Sequence, residues 1–435
     1  MPRIALIGAG SQVFAKTLVS DILSYPALAD GEIALMDVDP DRLEPTVRAA
    51  ETMAEEVEAD PTIEATTDRA EALEGADYVV TTITVGGLEP FENEIRIPES
   101  YGVEQAIGDT VGPGGIFRGL RTVPTLVDIA EDMEELCPDA LLLNYTNPMA
   151  ICCWAIDAAT DVDVIGLCHS VQHTAAAIAD YVEVPESDLD HWVAGINHMA
   201  WFLEAEVDGE SVLPALREAM DDPDTYERDT VRFEMFDHFG AFATESSHHL
   251  SEYVPYFRTD PGTIEAMTGT GYAERMATAT YLEGWRERIE RLEAEGPPFD
   301  PEAATVERSD EYGARVIHSM ETGEVRKLNL NVPNEAGAVA NLPEEALVEV
   351  PCLVDGTGVH PCAVGELPPQ LAALCRSNVA VQERAVTGAL EGDREAAHQA
   401  VKLDPLTAAE LTLDEIHEMT EELIAANEAW LPDLA

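Results

Sequence analysis

The chain has 435 residues, 46% of them hydrophobic, and carries 85 acidic against 24 basic side chains, a formal net charge of −61. This length fits two or three packed domains of roughly 150 residues each, and the apolar content excludes intrinsic disorder. The charge excludes nucleic acid as a partner, because phosphate repels an anionic surface. The acids are spread along the chain, and Lys16, Lys327 and Lys402 are the only lysines. At molar salt the Debye length shrinks to about 3 Å and screens such self-repulsion, so the composition reads as that of a salt-accumulating halophile. With no run of eighteen apolar residues and no charged-then-apolar leader, neither a membrane span nor a signal peptide is expected, and the expected location is cytoplasmic. Seven cysteines without a CxxC motif read as thiols in a reducing compartment.

In chain order, RIALIG, EIALMD, YVVTTI, ALLLNY and VDVIGLC are predicted strands, separated by stretches long enough for crossover helices. Parallel strands need such crossovers, so residues 1–190 read as a Rossmann-type, doubly wound parallel α/β sheet. Residues 191–435 read as a second, α+β domain holding substrate, metal and subunit contacts. Within it, strands are expected near 191–207 and helix in TGYAERMATATYLEGWRERIERLEAE, with EGPPFDP a surface loop. LTLDEIHEMTEELIAANEAWL, with its Thr-x-x-Glu start, predicts a closing helix.

The first predicted strand runs into Gly8-Ala9-Gly10-Ser11 and then a helix, the layout that seats a dinucleotide pyrophosphate. Val13 occupies the place of the third glycine of the usual fingerprint, so by itself the turn could equally be a tight strand-to-helix connection. Asp37, closing EIALMD, is the acid expected on the adenosine ribose, and a carboxylate there favours NAD over NADP. An ordinary turn residue before Pro40 is the alternative.

Cys168 in IGLCHS and His198 in GINHM offer a thiolate and an imidazole to a divalent metal; a buried thiol and a core imidazole are the plainer reading. Two protein ligands would leave positions open for substrate oxygens, and Mn²⁺ suits a shell completed by sugar oxygens. The segment TESSHHLSEYVPYF gathers His248, His249, Glu252, Tyr253 and Tyr256. A tyrosine beside a cation can act as a base, because the cation favours the phenolate.

Taken together, the strings IGAGSQVFAK, GDTVGPGGIFRGLR, NYTNPMA, GLCHSVQ, AGINHMAWFL, TESSHHLSEYVPYF, NVPNEAGAVANLP, VDGTGVHP and LDPLTA resemble the family 4 glycoside hydrolases, nearly end to end. The resemblance implies a fold related to lactate and malate dehydrogenases, with NAD and Mn²⁺ or another divalent metal as cofactors, and a homodimer or homotetramer. It makes Gly8, Gly10, Ser11 and Asp37 cofactor contacts, Cys168 and His198 metal ligands, and Asn147 a substrate contact. Tyr253 becomes the base, with Tyr256 the alternative, and Asp109 an acidic residue of the catalytic pocket. Members acting on 6-phosphorylated sugars carry Asp directly after the metal cysteine as general acid; here His169 stands there. The CHSV string is similar to the branch acting on unphosphorylated α-galactosides, α-glucosides or α-galacturonides.

The chemistry implied is oxidation at sugar C3 by NAD⁺, deprotonation at C2, elimination of the C1 oxygen, addition of water and return of the hydride. An α-galacturonidase would use Arg96, Arg118 or Arg121 against a uronate. A 2-hydroxy-acid dehydrogenase and a redox-sensing binding protein are the rivals from other classes.

Overall fold

A computed structural model of the chain describes residues 1–259, 262 and 279–435. Its N-terminal half contains β1 (Arg3–Ile7), β2 (Glu32–Met36), β3 (Thr62–Thr66), β4 (Tyr78–Thr81), β5 (Leu141–Asn144) and β6 (Val164–Gly166), all paired in parallel. Their spatial order is β3-β2-β1-β4-β5-β6, the doubly wound order that reverses between β1 and β4 and leaves a crevice at the strands' carboxyl ends. Every residue of β4 and β5 is buried, which is why these strands read as continuous apolar runs. Ile4 and Leu6 of β1 join one apolar cluster with Leu18 and Ile22 of the helix Val13–Leu23. Ala5 and Ile7 join a second cluster with Leu126 and Ile129 of the helix Gly112–Leu136. Alternation along one strand thus anchors helices on both faces, at roughly 1.5–3 kcal/mol for each large apolar side chain buried. β3, TIEAT, was absent from the predicted strands because it lies at the sheet edge with polar, largely exposed residues.

The same sheet continues into the C-terminal half, past the boundary expected near residue 190. β11 (Arg326–Pro333) pairs antiparallel with β6 through Asn331 and Gly166, and the order runs on through β12 (Leu347–Asp355), β7 (Leu189–Ile196), β8 (Met199–Val207) and β10 (Phe242–Ala243). β13 (Gly358–Pro361) pairs with β12, and β9 (Glu210–Ser211) with β8. The strand-like segment expected around His198 is a hairpin. Ile196 pairs with Met199, and the intervening Asn197-His198 makes the turn, with His198 at φ 62°. Left-handed backbone at a β-substituted residue is costly, and such strain concentrates at functional positions.

The closing helix spans Leu413–Asn427 and starts with the capping box read from the sequence, in which Thr412 and Glu415 satisfy each other's backbone N–H. Residues 270–278 of the predicted long helix lie outside the described residues; the remainder forms Thr280–Glu295, followed by a partly exposed loop at EGPPFDP. No described helix is long and apolar enough to cross a membrane.

Candidate active site

At the switch point, the chain leaves β1 through Gly8 at φ 96°, where a Cβ would lie 2.6 Å from the Thr82 carbonyl oxygen. A Cβ on Gly10 would meet Asp37 Oδ2 at 2.5 Å. Gly8 is therefore required by the protein's own close packing, and a Cβ on Gly10 would displace the Asp37 carboxylate, in addition to any approach of a pyrophosphate. The Gly10 N–H donates to Asp37 Oδ2 at 2.8 Å and the Asp39 N–H to Oδ1 at 3.0 Å, so Asp37 braces the turn it was expected to serve. Ser11 Oγ lies 3.4 Å from Thr82 Oγ1 at the same place. Gln12, which sequence reasoning passed over, caps the following helix at φ 27°; its buried Oε1 has no hydrogen-bond partner among the described residues.

At the carboxyl end of β6, Cys168 Sγ lies 3.2 Å from Nε2 of His198, which the β7–β8 turn presents from across the sheet. Bonds of the zinc lengths, about 2.3 Å to sulfur and about 2.1 Å to nitrogen, set two ligands of one ion about 3.1 Å apart at a right angle and about 3.6 Å apart at the tetrahedral angle, so a separation of 3.2 Å is within reach of a shared divalent metal. Burial, and then the neighbouring cationic His249, push His198 down to about 3 and leave a neutral, ligand-competent ring. Burial raises the Cys168 thiol. His198 Nδ1 and both amide atoms of Asn197 are buried and lack partners among the described residues.

The helix Ser247–Tyr253 brings TESSHHLSEY against this pair, with the His249 ring 4.4 Å from that of His198 and 5.6 Å from that of Tyr253. His249 Nδ1 lies 3.3 Å from Glu245 Oε2. Burial opposes charge on both, but their attraction wins; His249 is held at about 9 and Glu245 well below the carboxylate range. Tyr253 is 1% exposed, and its hydroxyl has no partner among the described residues. Burial, followed by the charges of Asp109 and Glu245, keeps it a phenol until a cation is near. Tyr256, by contrast, is 47% exposed and stacks on Phe239.

Asp109 and Asn147 meet in the same pocket, with Asn147 Nδ2 donating to Asp109 Oδ2 at 3.4 Å. Arg118 donates from Nε to the Asn147 carbonyl at 3.3 Å and sets Nη1 3.9 Å from Asp109. Burial works against the Asp109 charge, yet Arg118, His249, Thr110 and His198 together hold its carboxyl below the ordinary range. The other arginines considered for a uronate are occupied. Arg121 forks onto Glu94 in the interior, and Arg96 pairs with Glu99 and Glu283.

His169 is exposed beside Cys168, its Nδ1 2.9 Å from Glu311 Oε1. That hydrogen bond raises it to about 9 despite partial burial, so the imidazolium is the form present near neutrality. Glu311 and Glu245 are the site carboxylates that sequence reasoning missed. Glu311 lies 142 residues from His169 and carries no local signal, whereas Glu245 sits inside TESSHH and could have been found there.

The family 4 glycosyl hydrolase model matches residues 3–184, and the model of that family's C-terminal domain matches residues 193–407. An α-galactosidase from Bacillus subtilis is 42% identical over all of this chain and all of its own length. An α-galactosidase from Rhizobium meliloti is 39% identical over all of this chain and 90% of its own. Among solved structures, a 6-phospho-α-glucosidase from gut microorganisms in complex with NAD and Mn²⁺ superposes with a TM-score of 0.79 at 22% identity, over the whole of both chains. On these matches, which span both halves of the continuous sheet, the chain belongs to the family 4 glycosyl hydrolases.

Proposed function

We propose that this enzyme hydrolyses unphosphorylated α-galactosides, with NAD⁺ bound at the Gly8–Ser11 turn and Asp37, and Mn²⁺ held by Cys168 and His198. The observation that carries the reading is the buried Tyr253 hydroxyl, without a partner among the described residues, in the cluster that includes the Cys168–His198 pair. Support for the sugar comes from the two α-galactosidase relatives. When bound, the dinucleotide supplies reversible oxidation of the sugar, and the metal polarises the sugar oxygens.

The chain's own residues do the rest. Asn147 and Asp109 receive sugar hydroxyls, and Arg118 holds Asp109 charged. Oxidation acidifies the C2 proton, and Tyr253 removes it. His169, kept protonated by Glu311, delivers a proton to the leaving C1 oxygen, in the position where phospho-sugar members carry Asp. Arg118, whose Nη1 lies 3.9 Å from Asp109 and has no hydrogen-bond partner among the described residues, is the cation a uronate would meet. We assign cofactor binding to residues 1–190 and the base and one metal ligand to residues 191–435. The dispersed acid excess supports work at high salt in a cytoplasm, and assembly as a homodimer or homotetramer is proposed with it.

A panel of nitrophenyl α- and β-glycosides in molar KCl, with NAD⁺, Mn²⁺ and a thiol reductant, tests the reading. Release from the α-galactoside, dependent on both cofactors and without net NADH, is the expected result. Turnover that survives removal of NAD⁺ and metal, or stoichiometric NADH from a hydroxy acid, would overturn it.

A further inference from the structure

Only 24 side chains in this protein are lysine or arginine, against 85 carboxylates, yet four of those cations line one cavity. The cavity has a volume of about 400 Å³ and is bounded by Tyr25, Arg308, Arg315, Arg326, Lys327 and Leu328. None of the residues proposed above for catalysis, metal or cofactor binding is among them. We propose that this cavity is a second binding site, for a phosphoryl dianion either free or carried by a small metabolite.

The cations are anchored in a way that leaves charge facing the cavity. Arg308 donates from Nε to Ser24 Oγ at 2.9 Å and from Nη2 to the Ser24 carbonyl at 2.8 Å, where the helix Val13–Leu23 ends. Its guanidinium lies 3.8 Å from the centre of the Tyr25 ring. Lys327 donates from Nζ to the His191 carbonyl at 3.2 Å. Arg326 donates from Nη1 to Ser319 Oγ at 2.7 Å.

Carboxylates offset only part of this charge. Arg326 meets Glu324 at 2.9 Å and Arg315 meets Asp310 at 3.6 Å, and the two acids are 57% and 75% exposed. Among the described residues, Arg308 and Lys327 form no ion pair. In a chain so rich in acids, four clustered cations with two of them unpaired repel one another unless an anion joins them. Arginine forks match the geometry of phosphoryl oxygens, lysine adds a point charge, and the volume falls within the range of small-molecule sites.

The test is calorimetric titration of the metal-free, NAD⁺-saturated full chain with inorganic phosphate and, separately, with glycerol phosphate. Saturable binding is expected, weakened about tenfold or more by Lys327→Ala and by Arg308→Ala and retained in Lys327→Arg. Tighter binding of glycerol phosphate assigns a phosphorylated metabolite, and tighter binding of inorganic phosphate assigns the free ion; either supports the site. Absence of saturable binding to the unmodified protein, or unchanged affinity in both alanine variants, would overturn it. If an alanine variant does not fold, Lys327→Gln replaces it with the same expected loss.

Discussion

Replacing Tyr253 by Phe should stabilise the metal-free protein while removing its chemistry, two effects of opposite sign from one oxygen atom. The side chain is 1% exposed and its hydroxyl has no partner among the described residues. A buried hydroxyl without a partner costs about 1–3 kcal/mol, and Phe removes that cost. The ring keeps its place beside His249, and the Tyr253 carbonyl still accepts from Asn378 Nδ2 at 3.0 Å. A chain of this length unfolds with an entropy of about 0.9 kcal/mol/K, so the gain corresponds to about 1–3 °C in Tm. Loss of a general base lowers turnover by about 10²–10⁴-fold. The assay pairs thermal unfolding of the metal-free protein with exchange of the sugar C2 proton in deuterated solvent, under saturating NAD⁺. A fall in Tm of similar size would show that the hydroxyl is held by a partner. Undiminished C2 exchange would show that another group is the base.

Cys168→Ser should weaken Mn²⁺ binding by about 100-fold or more while leaving NAD⁺ binding intact, as read from the electron paramagnetic signal of free Mn²⁺. Asp404, fully buried and accepting from the Thr407 N–H and Oγ1, has its carboxyl pushed up to about 6 by burial. The native state therefore binds this proton more tightly than the unfolded chain, so the contribution to stability is complete below about pH 4 and is lost as pH rises through about 6. Asp404→Asn should keep the helix cap and remove that loss, so that its stability relative to the parent rises between about pH 4 and 7 in denaturant titrations. An unchanged difference across that range would show that Asp404 is charged throughout. Tm should climb steadily from about 0.1 M to about 2 M KCl, because the screening length falls severalfold over that range; a flat profile would refute self-repulsion as a limit on stability.

Local pattern was enough for the elements whose burial is uniform along the chain. β1, β4 and β5 are covered on both faces, so their apolar runs stand out, and the closing helix announces itself through Thr412 and Glu415. The glycine turn at Gly8 and the acid at Asp37 were legible because strand, turn and strand end lie in fixed local order. β3 was not, since a polar edge strand owes its existence to β2 beside it. The turn at His198 was hidden inside a segment whose composition is strand-like on both sides.

The residues of the site were visible one at a time, from composition and family resemblance, but their relations were not. Nothing local joins Cys168 to His198 across the sheet, or His169 to Glu311, and nothing in TESSHHLSEYVPYF says that Tyr253 is buried while Tyr256 faces solvent. Periodicity and turn chemistry are properties of neighbouring residues and can be read from their order. Distance between remote side chains, and the burial that tunes their charge, depend on which strands the topology sets side by side, and only the folded sheet decides that.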